Sequence, residues 1–242
     1  MKKIILAPLF SSMLFADTLG GEVAIGLFNH TPSGDTRYQT AKSVDLADTL
    51  GFTSTQDIFL AAYLEHPLPL IPNLKLSYTT LSNNASNNVN TFSWGEIQNF
   101  SGLLSSNISL SYTDATLYYE VLDNGVELDV GATLRSLEGD MNLKSTQNND
   151  TVSYSTNIPL LYAKARVYIP STEFSLQAEL NAISFSSQSS YDYALSARYT
   201  FMMGLGLEAG YKAFHFEDSE LVSGLENNID FSGFYASAIW DF

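Results

Sequence analysis

The chemistry open to this chain is bounded by three histidines, His30, His66 and His215. A Ser/His/acid or Asp/His hydrolase needs an imidazole within hydrogen-bond reach of a nucleophile or a water. His30 is close in sequence to Ser33 and Asp35, and His215 to Glu217 and Asp218. Both are candidates for a general base at a loop rim; the plainer reading is polar residues exposed at that rim. His66 precedes Pro67, so its expected task is to fix a turn or to sit at an interface. No His-x-Ser spacing occurs, and no catalytic residue is assigned.

A second possible chemistry is cation binding. Glu217, Asp218, Glu220, Glu226 and Asp230 follow Lys212, after which no Lys or Arg occurs. Oxygen ligands of this kind hold Ca²⁺ or Mg²⁺. Their spacing fits neither an EF-hand nor a nonapeptide repeat, so a solvated acidic loop is the expectation. Divalent ions bridging these acids to lipopolysaccharide phosphates are the indirect version of the same idea. No metal and no cofactor is expected. The absence of cysteine excludes thiolate sites and disulfides.

The elements that must carry these residues are read from composition first. The chain has 242 residues, 26 acidic against 11 basic, and 14 tyrosines. Charged residues are 15% of it, well under the roughly 25% of soluble domains. Acidity without a basic run excludes nucleic acid as a partner, since such binding rests on Lys and Arg neutralising phosphates.

Lys2 and Lys3 precede an apolar run at 4–15 and a small residue, Ala16. That is the pattern of a secretory signal peptide, expected at 1–16. The run is too short for a membrane-spanning helix, which needs about 20 residues. The expected mature chain, 17–242, holds 9 basic and 26 acidic residues, a formal charge of −17.

Beyond residue 17 the pattern alternates with period two. At 126–135, Val126, Leu128, Val130, Ala132 and Leu134 share one face, opposite Glu127, Asp129, Thr133 and Arg135. Ten strands are predicted, at 19–30, 58–66, 74–81, 107–122, 126–138, 153–169, 174–185, 190–201, 205–217 and 229–242. Eight or twelve are the alternatives, because 83–106 has further strand-like residues around Phe92 and Ile97. Long polar linkers are expected at 31–57, 82–106, 139–152 and 218–228, with a short one at 186–189. Tight turns are expected at 67–73, 123–125, 170–173 and 202–204. Asn124-Gly125 is a strong hairpin signal. A parity change near Asp114 predicts a β-bulge there. Long loops at one end and short turns at the other describe a closed, up-and-down transmembrane β-barrel, all-β, with the short turns in the periplasm.

In that barrel the polar face lines the lumen. It carries Glu22, Glu65, Lys75, Asp114, Glu120, Glu127, Asp129, Arg135, Lys164, Arg166, Glu179, Asp192, Arg198, Glu208 and Lys212. Arg37, Lys42 and Lys144 are expected in long linkers. Buried charges must be paired, and Asp129, Glu179 and Glu208 are the expected partners of the bases on neighbouring strands. The apolar face places Tyr191, Tyr193, Tyr199, Phe201, Trp240 and Phe242 near strand ends, where aromatic girdles meet the membrane surfaces. Residues 45–52 are amphipathic through Leu46, Leu50 and Phe52. They are expected either to pack at the rim or to fold into the mouth as a gate.

Asp17-Thr18-Leu19-Gly20-Gly21-Glu22, Asp48-Thr49-Leu50-Gly51-Phe52 and Glu65-His66-Pro67-Leu68-Pro69-Leu70-Ile71-Pro72-Asn73 stand out as motifs, with Leu117-Tyr118-Tyr119-Glu120 and the terminal Phe242. In these the chain resembles the small proteobacterial outer-membrane β-barrel family marked by a Gly-Gly pair after the signal peptide. The resemblance implies an integral outer-membrane barrel and no defined activity. Trp240 and Phe242 look like the signal read by the barrel-assembly machinery.

The expected function is that of a non-enzymatic, porin-like protein of the Gram-negative cell envelope. It is either structural or a narrow passage for small solutes or ions, at most a cation-preferring leak. A barrel hydrolase acting on lipid or peptide at the extracellular rim is the alternative. The expected partners are outer-membrane lipids, lipopolysaccharide, the assembly machinery and small solutes.

Overall fold

The computed structural model describes residues 19–39, 42–68, 70–185, 188–218 and 224–242. The signal peptide expected at 1–16, and with it Asp17, Thr18, Pro69 and Glu220, lies outside them. Among the described residues eleven strands form: β1 (Gly20–Tyr38), β2 (Val44–Asp45), β3 (Thr55–Glu65), β4 (Asn73–Trp94), β5 (Ile97–Asp123), β6 (Val126–Lys144), β7 (Asn149–Tyr168), β8 (Phe174–Phe185), β9 (Gln188–Thr200), β10 (Leu205–Asp218) and β11 (Leu225–Asp241). All but the two-residue β2 pair with their chain neighbours in antiparallel order, and β11 pairs with β1 to close a ten-stranded barrel. Around the lower half closure leaves no open sheet edge, as a membrane demands. The start of β1 and the end of β11 lie at the short-turn end. There Gly125 takes the left-handed φ of +85° in the β5–β6 hairpin, a conformation that favours glycine.

The strands run well past the predicted ends. β1 reaches Tyr38, β4 and β5 meet at residues 95–96, and β6 and β7 meet at 145–148. The linkers expected at 31–57, 82–106 and 139–152 are therefore mostly wall, and Arg37 and Lys144 sit in strands. The predicted bulge near Asp114 is absent. The β5–β6 register is unbroken from Ser105 to Glu120, and shifts only between Glu120 and Leu122.

The parity change has another cause. The same strand face holds Thr116 and Asp114 low in the barrel and Tyr112, Leu110, Ile108 and Leu104 above, all buried. The inner face changes from polar to apolar at that height, and the outer face changes the other way. Leu134, Leu161 and Leu117 are exposed on the outside lower down. Higher on the same outer faces stand Ser136, Glu138, Asn157, Ser155 and Ser109, exposed as well. A lipid-facing belt surrounds the lower half, and the strands continue above it as a water-facing barrel with its own apolar core.

β3 is too short to complete this upper wall. Its ladder with β4 stops at Phe59–Thr79. Residues 44–53 fill the gap. β2 pairs with Thr36 and Asp35 of β1, while Asn83 and Asn87 of β4 donate to the carbonyls of Thr53, Asp48 and Thr49. Leu46, Leu50 and Phe52 are buried in the core. Of the two expectations for this segment, packing holds: it is a patch in the wall. The β4–β5 tip leans back onto it. The Gly95 N–H donates to the Tyr38 carbonyl at 2.8 Å, and the buried Trp94 packs on the Tyr38 ring at 5.8 Å.

Candidate functional site: the lumen

Alternation puts side chains of every strand on the inner face, and in the lower half these are the charges. Arg198 is held by Glu22 at 2.6 and 2.7 Å and by Glu208 at 3.0 Å. Glu208 also accepts from the Tyr235 hydroxyl at 2.6 Å. Arg166 donates to Gln177 at 2.8 and 2.9 Å and lies 3.3 Å from Glu127 and 3.4 Å from Glu22. Lys164 bridges Glu127 at 2.7 Å and Asp129 at 2.8 Å. Lys75 pairs with Glu179, which the Tyr63 hydroxyl also reaches at 3.1 Å. Lys164 faces the Tyr63 ring at 5.1 Å, which brings the two groups together in one layer across the barrel.

Arg135 marks the top of this layer. Its guanidinium binds Asp114 through two bonds of 2.8 and 2.7 Å and pairs with Asp192 from a third strand. It is fully buried, with its carbon 4.2 Å from the centre of the Tyr112 ring and 5.5 Å from that of Phe214. Those two rings stack at 5.2 Å and belong to the apolar core. A buried guanidinium tolerates this place because carboxylates below and ring faces above both favour its charge. A small interior space of about 70 Å³ remains among these groups, bounded by Lys75, Glu179, Arg198 and Lys212.

The pairings differ in part from expectation. Lys164 with Asp129 and Arg198 with Glu208 are as read from the strands, but Glu179 takes Lys75, and Arg135 takes Asp114 and Asp192. Lys212 has no carboxylate within ion-pair distance among the described residues. Its ammonium instead faces Phe59, Tyr112 and Phe28 at 5.3, 5.7 and 5.8 Å, and reaches the Thr79 hydroxyl at 3.4 Å. Glu65 accepts from Tyr118 at 2.8 Å at the short-turn rim. Glu120 is a correction: beside the register shift it is exposed rather than enclosed. The apolar upper layer is a feature that sequence reasoning misses, because its alternation is the same as that of a lipid face.

The histidines and acids of the upper end are distributed as follows. His30 is buried in the wall between Phe28 and Phe231, with Nε2 2.9 Å from Asp57. Asp57 also accepts from the Ser82 N–H at 2.5 Å, where the β3–β4 ladder has stopped. His66 braces its own turn. Its Nε2 lies 3.2 Å from the Pro72 carbonyl, and Nδ1 accepts from the Leu68 N–H at 3.2 Å. His215 stands on the outer face, Nδ1 2.9 Å from Asp230 and its ring stacked on Tyr191 at 4.7 Å. Across the ladder Ser33 lies beyond Asp230, so the acid separates it from the imidazole. Of the acidic linker, Glu226 pairs with Arg37 and Asp218 with Gln188.

The motif residues also find their places. Tyr119 donates to the Leu70 carbonyl at 3.1 Å, and the Asn73 side chain accepts from the His66 N–H at 3.1 Å. The Phe242 ring covers Gly21, and their backbones exchange two hydrogen bonds of 2.9 and 2.8 Å. Trp240 and Phe242 are half exposed beside one another, 5.1 Å between rings.

Comparison with protein-family models and with curated proteins finds no match. Solved structures do match. The outer membrane protease OmpT from Escherichia coli is 11% identical, with a TM-score of 0.55 over 100% of this chain and 99% of that one. Ail, the attachment invasion locus protein of Yersinia pestis, is 10% identical, with a TM-score of 0.42 over 92% of this chain and 99% of its own. A major outer membrane protein from Thermus thermophilus is 15% identical, with a TM-score of 0.41 over 92% and 99%. At such identities the likeness is one of fold. The closed barrel and its apolar belt are those of an integral outer-membrane β-barrel protein.

Proposed function

We propose that this barrel is a non-enzymatic, structural component of the outer membrane whose lumen is closed by two layers in series. The observation that carries the reading is the position of Arg135, where the charge network ends and the apolar core begins. A solute passing through would have to break paired charges and then cross packed Leu, Phe and Tyr side chains. Both steps are costly, the first by exposing unpaired buried charge, the second by leaving a charge or polar group unsolvated. The resemblance to the Gly-Gly family agrees with this reading. The motif residues Gly21, Glu65, His66, Tyr118, Tyr119 and Phe242 all serve the periplasmic rim, where they fix turns and the seam between first and last strands. Their partners in this role are the membrane lipids and the machinery that inserts the barrel.

Conductance of the purified protein in planar bilayers tests the proposal. The expected outcome is no step above the lipid baseline, or at most a small cation-preferring leak. Large, stable, anion-selective steps would overturn it. The hydrolase reading keeps one specific observation, the His215–Asp230 pair on the outer wall. Lipid and peptide hydrolysis by the protein and by a His215→Ala variant would address it; turnover lost in the variant would favour the enzyme.

A further inference from the structure

The outer face of β4–β7 changes character just above the lipid belt. Register places Ser82, Ser109, Asp140 and Ser153 side by side in one row across the four strands. The next row up is Asn84, Asn107, Asn142 and Thr151. Within it Asn107 donates to Asn84 at 2.7 Å and Asn142 to Thr151 at 2.6 Å. All eight point outward and are partly or fully exposed. At the foot of the face Tyr78 leaves part of its ring open, 39% exposed.

This is neither a lipid surface nor an ordinary water-facing one. It has no apolar stripe, and with the row beneath, Thr80, Ser111, Glu138 and Ser155, two of twelve side chains are charged, whereas designed soluble surfaces carry about 25–35% charge. Short hydroxyls and amides offer a donor and an acceptor at each position, and fixing them costs little side-chain entropy. Neighbouring strands set them about 4.8 Å apart, and rows about 6.8 Å apart. A hydroxyl-rich ligand fits that grid. A phosphate does not, since Asp140 stands in it. The face is continuous with the lipid-facing belt along the same strands, so what meets it is the layer directly outside the hydrocarbon.

We infer that the outer face of β4–β7 above the belt is a docking surface for the sugar portion of outer-leaflet glycolipids. Asp140 accepts sugar hydroxyls, the Ser and Asn rows exchange hydrogen bonds with them, and Tyr78 offers a ring face at the hydrocarbon boundary. The inference rests on the orientation of the barrel and not on whether the lumen conducts, so a conducting lumen would leave it standing.

The test uses the full barrel in detergent with the delipidated core oligosaccharide of lipopolysaccharide as probe. Titration calorimetry is run on the native chain, on Ser109→Val/Ser153→Val and on Asn228→Val. Valine suits exposed strand positions, and heat-modifiable migration checks that each variant is folded. The expected result is saturable binding that falls at least tenfold in the double variant and is unchanged in Asn228→Val, which lies on β11 across the barrel. In parallel, thermal protection by lipopolysaccharide carrying its core sugars should exceed that by the acylated disaccharide alone. No oligosaccharide binding, equal binding by the double variant, or equal protection by both lipids would overturn the inference.

Discussion

The ring of Phe242 lies across Gly21, so that a Cβ at that glycine would sit 2.7 Å from the ring edge and 3.0 Å from the Tyr63 carbonyl. The terminal residue and the first strand thus lock each other at the seam where β11 closes on β1. Gly20, by contrast, has no neighbour nearer than 3.9 Å to such a Cβ. Gly21→Ala is expected to destabilise the barrel by about 1–3 kcal/mol, the usual cost of overpacking, and Gly20→Ala to be nearly neutral. Urea unfolding followed by Trp fluorescence measures both; equal effects would show that the ring simply moves aside.

Arg135 gives the second prediction. Removing its guanidinium leaves Asp114 and Asp192 buried without their cation. Arg135→Ala should therefore cost about 3–5 kcal/mol. If the loss arises from the stranded carboxylates, the triple change Arg135→Met, Asp114→Asn and Asp192→Asn should restore a large part of it. Denaturant midpoints for the single and triple variants decide. A triple variant as weak as the single one would assign the loss to packing against Tyr112 and Phe214.

The third concerns the two faces. Leu180 is 43% exposed on the belt, and Leu180→Arg should cost about 2–4 kcal/mol in a bilayer. An inward position would accept a cation easily if the lumen were wet. Thr133 shows why it does not: it is 2% exposed and tied to Thr116 at 2.7 Å and Asn181 at 2.8 Å. Thr133→Lys should cost as much as Leu180→Arg. Equal folding yields of Thr133→Lys and the native chain would mean an open lumen.

Strand number, closure, hairpin positions and the inward charges other than Glu120 were legible because a membrane imposes period-two alternation on every strand. Val126 to Arg135 displays it without interruption. The upper barrel was not legible for a physical reason. At Tyr112 the inner face turns apolar while the outer face turns to Ser and Asn, and the chain reads as a change of register although its geometry is constant. Residues such as Asn84, Ser86 and Asn88 have low strand propensity and pass for loop when read alone. Pairing across four strands holds them extended. Partners of individual charges were only partly legible, because Arg135 to Asp192 and Arg198 to Glu22 cross the lumen between strands that are not adjacent.

The fourth prediction follows from two barriers in series. For ion flow their resistances add, so with two comparable barriers the one left in place still limits the current when the other is removed. Replacing the upper core with small residues, by Tyr112→Ala, Phe214→Ala and Leu110→Ala together, leaves Arg135, Lys75 and Lys164 still paired below it. Neutralising the lower layer alone, by Arg198→Gln with Glu22→Gln, leaves Leu104, Phe100 and Trp94 packed above. Neither set should raise bilayer conductance beyond a few-fold. The combined set should produce discrete openings, provided heat-modifiable migration shows the barrel still folded. Openings from the core-depleted variant alone would place the whole barrier in the apolar layer. The charge network would then serve the stability of the wall and have no part in closing the lumen.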